Sequence, residues 1–261
     1  MHVPRKRFGQ NFLEDRSVID RMIAAIHPRR GERFVEIGPG LAALTGPLLQ
    51  HLDCLDAIEI DRDIVARLRQ TFAEDRVIVH EGDALRFEFP SLGNNLRVVG
   101  NLPYNISTPL LFHLTEYAAC VRDAHFMLQR EVVQRMSAQA GTPDYGRLSV
   151  MLQYRWSVES LFDVEPGAFR PAPKVWSSVV RLTPHASLPW RADDEAVLSD
   201  VVMRAFGQRR KTMRNALREK ISAQEFEGLG IDSSARGETL GVADFVRIAN
   251  HIAARGNSAH G

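Results

Sequence analysis

The run Asn101-Leu102-Pro103-Tyr104 has the residue types needed to hold an exocyclic amine in place. The lone pair of adenine N6 is delocalised into the ring, so this amine attacks well only when acceptors hold its N–H groups. The Asn101 side-chain oxygen and the Leu102 carbonyl can be those acceptors. Pro103 fixes φ and so aims that carbonyl, and Tyr104 can stack on an extruded base. We predict that this loop positions an adenine amine for alkylation.

Three further features, each at the end of a predicted strand, suit a nucleoside ligand. Gly38-Pro39-Gly40 allows a tight turn that brings backbone N–H groups close to a ligand. Glu59, about 20 residues further on, can accept hydrogen bonds from both ribose hydroxyls and would repel a 2′-phosphate. Asp83 can accept from an adenine 6-amino group. Ala43 stands where a dinucleotide fingerprint has its third glycine, which disfavours NAD and FAD. Singly, these residues also fit an ordinary turn and solvated charges. Together they predict S-adenosylmethionine, a ribonucleoside without phosphates.

Residues 204–220 form a basic stretch in which Glu219 is the single acid. We predict a helix over residues 208–221 with one apolar side, made by Met213, Leu217 and Ile221. Its cationic face would carry Arg210, Lys211, Arg214 and Arg218. A solvated charged face is the alternative, but the shortage of acidic residues favours binding to an RNA phosphate backbone.

The elements that must position these residues alternate between strand and helix as far as residue 137. Strands are predicted at residues 33–37, 55–60, 77–79, 96–99, 124–128, 156–164 and 175–182. This order predicts an α/β domain with a mostly parallel seven-stranded sheet flanked by helices. After Pro184 the pattern is helical. We therefore expect a catalytic domain over residues 1–185 and a small all-α domain over residues 186–261.

The composition indicates a soluble cytoplasmic protein. The 261 residues carry a net charge of +1 and include two cysteines. We find no secretory signal and no long apolar run, so a membrane role is not expected. Histidines and cysteines lack metal-ligand spacing, so no metal is expected.

With these motifs in hand, the chain resembles the ribosomal RNA adenine N6-dimethyltransferases, in particular the bacterial KsgA (RsmA) type. The resemblance spans nearly the whole chain. The matching segments are residues 5–13 (RKRFGQNFL), 35–41 (VEIGPGL), 58–61 (IEID), 82–84 (GDA), 100–107 (GNLPYNIS), 145–150 (YGRLSV), 169–180 (FRPAPKVWSSVV) and 209–212 (RRKT).

The resemblance implies a Rossmann-like class I methyltransferase fold and a role for each site residue. Asn11 and Leu13 would close over S-adenosylmethionine, and Gly38 would contact its methionine part. Glu59 would take the ribose, Asp83 the adenine, and Asn101 both the cofactor and the target amine. Phe169 and Tyr104 would sandwich the flipped adenine.

The implied reaction is dimethylation of two adjacent adenines in the 3′-terminal hairpin loop of 16S rRNA, within an immature 30S particle. The enzyme is expected to act as a monomer in ribosome biogenesis. Two alternatives remain. One is an Erm-type methyltransferase of 23S rRNA, which shares the Asn-x-x-aromatic loop. The other is a non-catalytic ribosome-assembly or transcription factor on the same fold, which the intact Asn101 loop and Glu59 disfavour.

Overall fold

The structure is a computed structural model that describes residues 11–208 and 210–258. The chain divides into two compact units. The first contains Met1–Val133 and Ser157–Pro184, and the second contains Gln134–Trp156 and His185–Gly261. The sequence predicted one boundary at residue 185, whereas the structure also groups residues 134–156 with the C-terminal helices. The reason is packing, because Tyr145, Val150 and Tyr154 are buried in the same apolar core as those helices.

The first unit is built on a seven-stranded sheet. The strands of the chain are β1 (Phe12–Leu13), β2 (Phe34–Ile37), β3 (Leu55–Glu59), β4 (Val77–Glu81), β5 (Leu96–Asn101), β6 (Val121–Gln129), β7 (Trp156–Val164), β8 (Phe169–Arg170) and β9 (Ser177–Pro184). The sheet order is β4-β3-β2-β5-β6-β9-β7, and β1 pairs with β8 in a separate two-stranded ladder. Strands β2 to β6 are parallel, and β9 lies antiparallel to β6. The predicted α/β fold with a mostly parallel sheet is confirmed.

Helices connect these strands. Those of the chain are α1 (Arg16–Ile26), α2 (Thr45–Leu49), α3 (Arg62–Thr71), α4 (Ser107–Glu116), α5 (Arg130–Ser137), α6 (Arg147–Arg155), α7 (Glu195–Gly207), α8 (Met213–Ala216), α9 (Ala223–Gly228) and α10 (Val242–Ser258). Helix α1 begins at Asp15, whose carboxylate accepts from the Ser17 and Val18 N–H groups. It ends at His27 in the left-handed conformation, with φ 51°.

The carboxyl ends of the parallel strands position the candidate site residues. Strands β2, β3 and β5 are largely buried, as expected for strands covered on both faces. Because their carboxyl ends meet at one edge, the residues that follow them are brought together. The glycine turn, Glu59 and the Asn101 loop therefore share that edge.

The second unit is helical among its described residues, apart from an isolated bridge between Thr212 and Arg236. Its core includes Leu198, Phe226 and Phe245 from three different helices. This confirms the helical character that the sequence predicted for the C-terminal region.

The predicted continuous helix over residues 208–221 is wrong. Helix α8 covers Met213–Ala216 alone. The Met213 and Arg214 N–H groups donate to the Ala235 and Ser233 carbonyls, at 2.8 and 2.9 Å, so a neighbouring loop takes the hydrogen bonds that an incoming helical turn would make. The apolar pattern nevertheless holds, because Met213, Leu217 and Ile221 are all buried.

No described helix combines the length and the apolar character needed to cross a membrane.

Candidate active site

A cavity of about 300 Å³ lies at the carboxyl edge of the sheet in the first unit. It gathers residues from the β1 segment and from the ends of β2, β3, β4 and β5. The predicted site residues that line it are Asn11, Leu13, Gly38, Glu59, Asp83, Asn101, Leu102, Pro103 and Tyr104. The structure therefore brings together nine residues that the sequence places in five separate segments.

Asn101 ends β5 and its side chain has a defined orientation. Its Nδ2 donates to the Asn11 carbonyl at 3.0 Å. A carbonyl can only accept, so the nitrogen must face Asn11 and Oδ1 must face the other way. The β1 segment thus fixes the amide of Asn101 with its acceptor oxygen free for a ligand.

Hydrogen bonds within the protein also fix the backbone of the rest of this loop. The Leu102 N–H donates to the Met127 carbonyl at 3.2 Å. The Pro103 carbonyl accepts from the Ile106 N–H and the Ser107 hydroxyl, at 3.2 and 3.1 Å. Among the described residues no donor reaches the Leu102 carbonyl. Among the described residues, the loop therefore leaves the Leu102 carbonyl without a donor next to Asn101.

Tyr104 lines the cavity and is half-buried. Its hydroxyl lies 2.8 Å from Ser177 Oγ. Burial raises the pKa of the Tyr104 phenol, so the ring stays neutral at physiological pH. Anchoring the hydroxyl fixes the ring as a candidate stacking surface.

Glu59 ends β3 with its carboxylate buried. Oε1 accepts from the Ile60 and Asp61 N–H groups at 2.9 and 2.8 Å. Oε2 has a longer contact, 3.4 Å, to the Gly40 N–H. Burial raises the pKa of Glu59, while these backbone donors oppose that rise. Oε1 is committed to the backbone, so Oε2 is the oxygen best placed to accept from a ligand hydroxyl.

Asp83 follows β4 and caps the short helical turn Ala84–Arg86. Its Oδ1 accepts from the Leu85 N–H at 3.0 Å. Two apolar residues line the cavity nearby, Ile60 at 47% exposure and Ala84, which is buried. An aromatic base can lie against these residues, with Asp83 accepting from an amino group on its edge.

The glycine turn differs from expectation in the groups it offers. Gly38 and Gly40 have φ values of 65° and 55°, the left-handed conformation that favours glycine. A Cβ on Gly40 would meet the Phe12 ring at 3.2 Å. The sequence predicted free N–H groups here, yet the Gly38 N–H donates to the Ile58 carbonyl at 2.9 Å. Parallel pairing uses that donor, so the Gly38 N–H is not available to a ligand.

Glu36 was not predicted as a site residue. It lies inside the apolar strand β2, is 2% exposed, and lines the cavity. The Thr45 hydroxyl donates to its Oε2 at 2.7 Å. Burial, with a smaller contribution from the Glu59 charge, raises the pKa of Glu36 to about 7. An acidic residue flanked by Phe34, Val35 and Ile37 was the available sequence signal.

Phe169 lies away from the cavity lining. It is 1% exposed and belongs to the main apolar core of the first unit. In β8 it pairs with Leu13 of β1. In this conformation the ring is covered by the protein, so its predicted stacking role would require a rearrangement that uncovers it.

The four cations chosen from the basic stretch lie in the second unit, and Arg210, Lys211, Arg214 and Arg218 are all exposed. Within the described part of the chain, none of them has an ion-pair partner. Arg204 and Lys220 instead pair with Asp200, at 2.9 and 3.5 Å. The cationic cluster therefore exists without the predicted helix. Residues 5–7, the other basic segment, lie outside the described residues.

A mostly parallel sheet with a nucleoside-sized cavity at its carboxyl edge defines a Rossmann-like methyltransferase fold. The family model of the ribosomal RNA adenine dimethylases matches residues 1–254. The chain belongs to this family. Ribosomal RNA small subunit methyltransferase A of Aromatoleum aromaticum is 62% identical over 254 residues, covering 97% of this chain and 96% of that relative.

Two solved structures share the fold. A dimethyladenosine transferase from Plasmodium falciparum matches with a TM-score of 0.79 and 23% identity, covering 94% of this chain and 98% of that one. The 23S rRNA methyltransferase ErmE matches with a TM-score of 0.73 and 24% identity, covering 93% of this chain and all of the other. At these identities the two likenesses bear on the fold alone.

Proposed function

We propose that this protein transfers methyl groups from S-adenosylmethionine to N6 of two adjacent adenines in the 3′-terminal hairpin loop of 16S rRNA. It acts as a cytoplasmic monomer on an immature small subunit. The observation that carries the proposal is the orientation of Asn101, whose amide nitrogen is held by Asn11 while its oxygen remains available beside the Leu102 carbonyl. Two acceptors at the end of β5 match the two N–H groups of an adenine amine.

The cavity residues fit S-adenosylmethionine. Glu59 Oε2 accepts from the ribose, and Asp83 accepts from the adenine amine that lies against Ile60. The Gly38 turn offers carbonyl oxygens to the methionine ammonium, and a Cβ there would meet nothing within 4 Å, so the space is open. When bound, S-adenosylmethionine supplies an electrophilic methyl group on a sulfonium.

The protein's part in transfer is positioning. Asn101 Oδ1 and the Leu102 carbonyl accept the two N6 hydrogens, which favours a pyramidal nitrogen with its lone pair directed at the methyl carbon. Tyr104 holds the ring by stacking, at a position set by its Ser177 hydrogen bond. N6 becomes strongly acidic once methylated, so its proton passes to solvent without a strong base.

The second unit would supply RNA affinity. Arg210, Lys211, Arg214 and Arg218 are exposed cations without acidic partners among the described residues, which suits phosphate contacts. This cluster provides affinity and register on the RNA, while the cavity selects the base.

The alternatives are less well supported. The likeness to ErmE is at 24% identity, against 62% for a small-subunit methyltransferase. A non-catalytic factor on this fold would have no need for the Asn101 orientation or for the buried Glu59 carboxylate at the cavity.

The test is methyl transfer from labelled S-adenosylmethionine to three substrates in parallel: unmethylated small subunits, large subunits and naked rRNA. Labelled RNA is then digested to nucleosides. We expect N6,N6-dimethyladenosine from small-subunit RNA and no label in large subunits. Label confined to large subunits, or to another base, would overturn the proposal.

A further inference from the structure

Two of the exposed large hydrophobic residues are neighbours in the chain, Val175 and Trp176, at 43% and 44% exposure. They directly precede β9. The next residue is Ser177, whose Oγ lies 2.8 Å from the Tyr104 hydroxyl. An exposed tryptophan therefore lies one residue from the hydrogen bond that fixes the candidate base-stacking tyrosine.

Two cations flank this tryptophan, one near its ring and one two residues earlier in the chain. The Arg130 guanidinium lies 5.7 Å from the centre of the Trp176 ring. The Arg130 N–H donates to the Trp176 carbonyl at 2.9 Å, which ties the start of α5 to this segment. Lys174 is exposed two residues earlier and has no ion-pair partner among the described residues. Asp163 is the acid nearby, 3.7 Å from Arg130.

An exposed aromatic ring flanked by exposed cations is the chemistry that binds single-stranded nucleic acid, because bases stack on the ring and phosphates pair with the cations. A protein partner would be expected to bury a wider apolar patch. Here the patch is two residues and its surroundings are charged.

Building on the proposed function, we propose that Trp176 stacks on an unpaired base next to the target adenine, with Arg130 and Lys174 on the adjoining phosphates. Trp176 is then a substrate-positioning residue. It holds the neighbouring nucleotide while Tyr104 holds the target, so that consecutive adenines can be presented without full release of the RNA.

The protein contains a matched control. Of its three tryptophans, Trp156 is buried, while Trp190 is 45% exposed and belongs to the second unit. Trp176→Ala and Trp190→Ala therefore remove the same side chain at similar exposure. Trp176→Phe retains an aromatic face.

The experiment compares these variants with wild type for methyl transfer to unmethylated small subunits, with saturating S-adenosylmethionine. We expect Trp176→Ala to raise KM for the subunit about 5- to 100-fold, the range for loss of one base stack. Trp176→Phe should recover most of this loss, and the cofactor Kd should be unchanged. If Trp176→Ala and Trp190→Ala have the same KM, the inference is wrong.

Fluorescence gives a second readout. In the Trp190→Phe variant, Trp176 is the exposed fluorophore that remains. Adding a hairpin RNA with an adenine-containing loop should quench its emission, and unquenched emission at RNA concentrations that saturate binding would also overturn the inference. Failure of wild-type protein to methylate any substrate would instead reject the proposed function, so the two failures are distinguishable.

Discussion

Strand β5 has an arginine near its beginning and an asparagine at its end, and the two ends use their polar groups differently. Arg97 is 5% exposed, and its guanidinium donates to Asp123, Glu32 and the Ile26 carbonyl, at 3.0, 2.7 and 2.6 Å. Asn101 Nδ2 donates to the Asn11 carbonyl, and its Oδ1 is left available. Complete pairing stabilises the first end, and the unused acceptor at the second end is the basis of the binding site proposed there.

The Arg97 end continues into a buried ionic cluster. Arg122 donates to Glu32 at 2.7 Å. Arg181 Nε donates to His125 Nε2 at 3.0 Å, which places the imidazole hydrogen on Nδ1, 3.4 Å from Asp123. Nearby cations and hydrogen bonds lower the pKa of Asp123 despite burial. The Glu36 and Glu59 carboxyls at the site end have raised pKa values instead. At the site end, burial without a nearby cation among the described residues therefore makes these carboxyls harder to ionise.

The largest expected effect is on stability, from the paired end. Arg97→Met removes the buried cation that Glu32 and Asp123 share and leaves these partly buried acids with exposed Arg122 as the nearest guanidinium, so the free energy of unfolding should fall by about 3–5 kcal/mol. Urea denaturation measures this. Arg62→Met is the matched control, because Arg62 is an exposed partner of Glu81, and it should cost at most about 1 kcal/mol. Equal losses in the two variants would mean that the Arg97 cluster adds nothing beyond a surface pair.

Glu36 should make the free energy of unfolding depend on pH. Burial raises the pKa of Glu36 from its usual 4.5 to about 7, so between these pH values the folded state binds more protons than the unfolded state. Its contribution to stability therefore falls as pH rises through this window. Glu36→Gln has no proton to lose, so its stability relative to wild type should rise by about 2.5 kcal/mol between pH 5 and pH 8. Denaturation at both pH values tests this, and a constant difference would exclude a raised pKa.

At the end of the sheet that holds the candidate site, Glu59 should contribute to the affinity for S-adenosylmethionine. Glu59→Ala removes charge-assisted hydrogen bonds to the ribose, each worth about 1.5–3 kcal/mol, so affinity for S-adenosylmethionine should fall at least about tenfold. Calorimetry measures the change. Glu81→Ala, at the exposed end of β4, is the control and should leave affinity unchanged. Wild-type affinity in Glu59→Ala would remove this residue from the site.

The smallest expected effect concerns the four exposed cations that have no ion-pair partner among the described residues. Replacing Arg210, Lys211, Arg214 and Arg218 with Gln should reduce the log–log salt slope of small-subunit binding by about 0.7–0.9 per lost contact. Affinity for S-adenosylmethionine should be unaffected. If these side chains form a solvated surface, variant and wild type should have the same salt slope, and that result would exclude an RNA-binding role for this cluster.

The sequence was sufficient for the parts of the fold that periodicity and local motifs determine. The seven strands of the main sheet were predicted, because apolar runs that lead into Gly38, Glu59, Asp83 and Asn101 are local signals, whereas the short strands β1 and β8 were not. The helix over residues 208–221 was not, because its amide groups bond to a loop about 20 residues later, and no local pattern reports such a partner.

Burial was the other quantity that could not be predicted. Phe169 matched a motif, but its packing into the core depends on pairing with β1, which lies far away in the chain. Glu36 is plain in the sequence, yet its raised pKa depends first on burial and then on the nearby charge of Glu59. Long-range packing fixes both properties.

Whether the Asn101 end of β5 carries the chemistry is tested most directly by kcat for Asn101→Ala, measured with small subunits and S-adenosylmethionine both saturating. Loss of the oriented acceptor should lower kcat by about 100-fold or more, with RNA affinity and the free energy of unfolding close to wild type. A kcat within a few-fold of wild type would contradict a role for Asn101 in positioning the adenine amine.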